Sequence, residues 1–70
     1  MHQNEVMIPR APVARIMLSA GAKRVSVKAV EAFARILERK CLGIAKRAAQ
    51  LARHAGRKTI TLEDVRLALK

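Results

Sequence analysis

Cysteine appears once, at Cys41, and tryptophan and tyrosine are missing from the 70 residues. A single thiol excludes an intrachain disulfide and any zinc site built on several cysteines. His2 and His54 are too few and too far apart to form a histidine cluster, so no metal or cofactor is implied. Phe33 is the sole aromatic residue. Proteins that read single-stranded nucleic acid usually stack bases on aromatic rings, so this scarcity turns any nucleic-acid reading toward duplex backbone. No apolar run approaches the roughly 18 residues needed to cross a bilayer. The opening MHQNEVM lacks the basic and apolar regions of a signal peptide. With a lone thiol suited to a reducing compartment, the expectation is a soluble intracellular protein.

Acidic residues are also scarce. Five Asp and Glu stand against 15 Lys and Arg, a formal charge of +10. Such an excess argues for a polyanionic partner, nucleic acid first and anionic membrane second. Solubility alone rarely needs so one-sided a balance. Seventy residues permit one domain with a marginal core. Disulfides and metals being excluded, oligomerisation is the remaining support, and a chain that is 51% hydrophobic can supply it.

Proline and glycine divide the chain. Residues 1–8 show no periodicity and read as a loose N-terminal segment, leaving 9–70 as the folded domain. Pro12 suits a first helical turn, and PVARIMLSAG places Val13, Ile16, Met17 and Ala20 at helical spacing before Gly21 stops the helix. After the loop AKRVS, Ser26 is a good N-cap. From Ser26 to Ala55 no proline intervenes, and Val30, Phe33, Ile36 with Leu37, Cys41, Ile44, Ala48 and Leu51 recur at threes and fours. That predicts an amphipathic helix on the order of 45 Å long. Gly56 ends it. Thr61 and Asp64 have capping-box spacing, with Asp in place of the usual Glu, and open a last short helix.

The expected fold class is therefore all-α, in the order short helix, loop, long helix, loop, short helix. Two short helices cannot cover so long an apolar stripe, so a second copy must. This predicts a twofold dimer whose long helices cross near their middles. Its core would be formed by Phe33, Ile36, Leu37, Cys41, Ile44 and Ala48.

The segments IPRAPVARIM, AGAKRVS, LARHAGRKTI and LEDV together resemble the histone fold, specifically an archaeal-type histone without tails. The resemblance spans about residues 8–70. It implies a handshake homodimer, or a heterodimer with a related histone. Such dimers wrap double-stranded DNA with little sequence specificity and associate into nucleosome-like particles or fibres on the chromosome of an archaeon.

By this resemblance Arg15 and Arg24 would enter or line the minor groove, and Lys58 and Thr59 would bind phosphate. Lys23 and Arg10 are further basic residues placed to contact phosphate. Arg57 and Asp64 would form a salt bridge bracing the second loop against the last helix. Leu51, His54 and Asp64 match positions where two dimers meet, the histidine bonding the partner's aspartate. Assembly through that contact would depend on pH. Layer stacking in fibres would bring in Gly21, Arg35, Arg39 and Arg66; here the charged candidates, Lys70 included, are all basic and would repel.

Two other features depart from the pattern. Lys40 lies where the crossing favours an apolar side chain, and its stem can be buried while the ammonium reaches water. Gly43 stands mid-helix, which suggests a close approach. Three alternatives remain open. A histone-fold subunit of a transcription-related complex would act through a different partner chain. A basic membrane binder is opposed by the internal glycine caps. Catalysis by His54 lacks a pocket, a nucleophile and an orienting acid, so no enzyme is expected.

Overall fold

The computed structural model describes residues 6–70. It contains α1 (Arg10–Ser19), α2 (Val27–His54) and α3 (Leu62–Ala68), with no strand among the described residues. The short–long–short, all-α order matches the sequence expectation. The chain divides within α2 into two compact units, the first ending at Glu38 and the second beginning at Arg39.

In the first unit Val13, Val30 and Ala34 form the buried centre, with Met17, Val25, Phe33 and Leu37 packed around it. Helix α1 starts at Arg10, two residues before the expected Pro12. Pro9 is the N-cap, in an extended conformation. Pro12 then falls at the third helical position, where the backbone N–H has no intrahelical partner to lose. The helix closes through Ala20, and Gly21 follows at φ 118°. The Ser26 hydroxyl accepts from the Ala29 N–H at 3.0 Å, which caps α2 as its spacing suggests.

The expected loose segment, 1–8, lies partly outside the described residues. Within them, Val6 and Ile8 pack against the first unit's core. The N–H groups of Met7 and Ile8 donate to Glu38 Oε1 at 2.6 and 3.3 Å. A carboxylate thirty residues away in sequence thus satisfies donors that would otherwise face water.

In the second unit the buried apolar residues are alanines: Ala48, Ala52 and Ala68. Arg47 Nε donates to the Ala68 carbonyl at 3.0 Å, satisfying an acceptor left open at the end of α3. Helix α2 ends in a Schellman motif. The Arg57 N–H donates to the Ala52 carbonyl and the Gly56 N–H to that of Arg53, both at 2.9 Å, with Gly56 at φ 73°.

Large apolar side chains stay uncovered in the single chain, among them Ile36 at 51%, Leu42 at 54% and Leu69 at 63% exposure. Cys41, placed in the dimer core by its period, is likewise exposed here. Ile44 is half-buried and Ala48 buried. So much open apolar surface on so short a chain is what a second chain would cover.

Gly43 does not have the close approach that its position suggests: a Cβ built there meets nothing within 4 Å. Helix propensity is then the main difference between Gly and Ala. Gly43→Ala should stabilise the protein by about 1 kcal/mol. Thermal denaturation at matched protein concentration checks this, and a lowered Tm would mean that another chain needs the space.

Candidate nucleic-acid interface

The second loop is built around Arg57. Its Nη1 and Nη2 donate to the two carboxylate oxygens of Asp64 at 2.8 and 2.9 Å, and Nη1 also donates to the Thr59 carbonyl at 3.0 Å. The planar guanidinium suits this two-pronged contact, which fixes orientation as well as distance. Asp64 receives two further donors on Oδ2, from the Thr61 N–H at 2.8 Å and the Thr61 hydroxyl at 3.1 Å. The Asp64 N–H in turn donates to the Thr61 hydroxyl at 3.4 Å, completing the capping box of α3. Asp in place of Glu therefore serves as well.

These donors hold the Asp64 carboxyl well below the usual carboxylate range. Arg57 is the largest cause, followed by the Thr61 backbone N–H. The residue is 3% exposed, and burial opposes the ionised form without overcoming its partners. The same bond raises the affinity of Arg57 for its proton. Between the two anchors the turn presents Lys58 and Thr59, both exposed.

In the first unit, Lys23 and Arg24 stand exposed in the loop between α1 and α2. That loop is pinned by Val25, which packs on the apolar core. Arg15 is exposed on α1. Arg10 differs from these: its Nε lies 3.5 Å from Glu31 Oε2. So open an ion pair is weak, and phosphate could displace it, but Arg10 is not an unencumbered cation.

His54 is exposed at the end of α2, with Leu51 half-buried one turn earlier. Gln50, Arg53 and His54 line a shallow, open depression. The expected bond from His54 to a partner's Asp64 meets an obstacle. Oδ2 already accepts three donors, so only Oδ1, itself held by Arg57, offers an acceptor site. Among the described residues, no three His, Cys, Asp or Glu side chains are grouped to hold a metal. No described helix is long and apolar enough to cross a membrane.

The family of histone-like transcription factors (CBF/NF-Y) and archaeal histones matches residues 6–69. This chain belongs to that family. The three helices described above are its histone fold. Two relatives are similar over almost their whole length. One, from Thermococcus zilligii, is the first of the subunits of archaeal histone HAN1; it is 51% identical over 63 residues, covering 90% of this chain and 94% of that protein. Probable archaeal histone 3 of Methanocaldococcus jannaschii is 49% identical with the same coverage.

Some features of this histone-family chain were not evident from sequence spacing. Glu38 and Arg47 act on backbone groups distant in sequence, and no local pattern marks either. The bond from Arg57 to the Thr59 carbonyl could have been suspected, because a guanidinium beside a glycine turn has donors to spare.

Proposed function

We propose that this histone-family chain packages double-stranded DNA, with no enzymatic activity of its own. Residues 9–70 act as one histone-fold domain that pairs with a second copy or a related histone. Such dimers associate further along chromosomal DNA. The observation that carries this reading is the second loop, where Arg57 grips both Asp64 and the Thr59 carbonyl while Lys58 and Thr59 stay open to an anion. Arg24 and Lys23 offer cations in the other loop, and Arg15 on α1. Contacts of this kind reach phosphates and groove walls, so sequence preference is weak and salt dependence steep. Leu51 and His54 contribute to the meeting of dimers.

Nuclease digestion of reconstituted complexes tests the reading. Protection should rise in steps of about 30 base pairs, from roughly three inward-facing minor grooves per dimer at about 10 base pairs each. An unstepped smear would sink the wrapping mechanism.

A second reading is favoured by the breadth of the family, whose description includes transcription factors. There the chain would be one subunit of a complex with a different histone-fold partner. Gel filtration with cross-linking of the protein alone separates the two: a self-paired, folded dimer supports packaging, and an unfolded lone chain supports the partnered subunit.

A further inference from the structure

Lys28, Arg35, Arg39, Lys46 and Arg53 follow one another along α2 at intervals of seven, four, seven and seven residues. At 3.6 residues per turn these intervals keep all five within about 20° of one line on the helix surface. All five are exposed. The line runs for about 38 Å at 1.5 Å per residue. Directly opposite lies the apolar period, with Val30, Phe33, Leu37, Ile44, Ala48 and Leu51 within about 40° of the antipodal line. Whatever chain covers the apolar side, the basic line points away from it.

The acids of α2 leave this line uncompensated. Glu31 and Glu38 both lie to one side of it by the same register, about 60° to 80° away. Glu31 is engaged by Arg10, and Glu38 accepts the Met7 and Ile8 N–H groups. Five cations in a row with no counter-charge cost self-repulsion, a cost that a linear polyanion relieves. A like-charged face of a second protein layer would add to it.

We propose that this outward line of α2 is a second DNA surface, which holds a neighbouring duplex while the loops and α1 hold the first. The proposal rests on the packaging reading above. Its occupant is double-stranded DNA because the charges are evenly strung along a rigid helix and stand without aromatic neighbours, an arrangement suited to backbone phosphates rather than to unstacked bases. The protein then bridges two duplexes as well as bending one.

The test immobilises one duplex on beads, loads it with the full-length protein, removes excess protein and offers a second, fluorescent duplex across a salt series. Arg39→Gln with Lys46→Gln is compared with the charge-matched Lys40→Gln with Lys70→Gln, which removes cations off the line. Glutamine keeps nearly the same helix propensity as Lys and Arg. For the second duplex, the slope of log affinity against log salt should fall by about 2 per engaged chain in the first variant. The control pair should behave as wild type, and stepped nuclease protection of the first duplex should persist in both. Wild-type protein that protects in steps yet retains no second duplex overturns the bridging surface and leaves packaging standing. Equal loss in the two variants also overturns it, since net charge alone would then explain retention. Wild-type protein that gives no stepped protection overturns the packaging reading itself.

Discussion

Replacing Arg24 and Lys58 together by glutamine should weaken DNA binding by roughly a hundredfold or more near physiological salt, with no comparable change in thermal stability. Both residues are exposed, and each lies in a loop whose shape is set by other side chains: Val25 for the first, Arg57 with Asp64 for the second. A dimer carries two copies of each, so four phosphate or groove contacts are lost. The slope of log affinity against log salt should fall by about 3 to 4. Titration of a labelled duplex at several salt concentrations measures the slope, and a melting curve without DNA checks the fold. An unchanged slope with weakened binding would assign the loss to loop distortion rather than to phosphate contacts. Arg24→Lys is a useful companion. It keeps the charge but loses the planar guanidinium, so a groove-inserting role predicts a partial loss that a pure point charge would not.

The parts of the fold that could be read ahead of the structure are those specified by neighbours in sequence. Ser26, Gly56 and the Thr61–Asp64 pair mark helix ends because capping joins residues two to four apart. All four sit where their chemistry requires. The apolar period of α2 is equally plain, since burial enforces it. The N-terminal segment is harder. Its attachment depends on Glu38, a residue that by spacing alone is one more polar position on a long helix. Arg47 is similar: only the return of α3 reveals that its Nε meets the Ala68 carbonyl. The start of α1 differs from expectation because Pro12 does not mark the first helical position; any of the first few positions tolerates its missing N–H. Within the site, Arg57 and Asp64 are paired through family resemblance, and the structure adds what resemblance does not supply, the grip on the Thr59 carbonyl.

The spare donors and acceptors of the second loop also explain how so basic a chain positions its cations. Mutual repulsion among Arg57, Lys58 and their neighbours would spread an unrestrained loop away from any one geometry. Asp64 is the one acid that reaches into this loop, and its two oxygens between them engage a guanidinium, a backbone N–H and a hydroxyl. One buried carboxylate therefore organises the turn, starts α3 and leaves Lys58 as the unneutralised charge at the tip.

Asp64→Asn accordingly should be among the most damaging single substitutions in the chain. It is nearly isosteric, so packing changes little. Its amide NH2 brings donors where the site already presents them, from Arg57 and from Thr61. The remaining oxygen cannot serve both, and Arg57 is left without a counter-charge. A fall in Tm on the order of 10 °C or more is expected at matched protein concentration. Glu63→Gln, an exposed acid in the same first turn of α3, should shift it little. The pH dependence gives an independent readout. Because the folded-state pKa of Asp64 is depressed, its contribution is complete above the ordinary carboxylate value of 3.8 and is lost as pH falls from there toward the folded value. Wild-type protein should lose stability through that acid range, and Asp64→Asn should lose distinctly less there. Parallel acid profiles for the two proteins would show that the carboxylate charge does not brace the loop, whatever the drop in Tm.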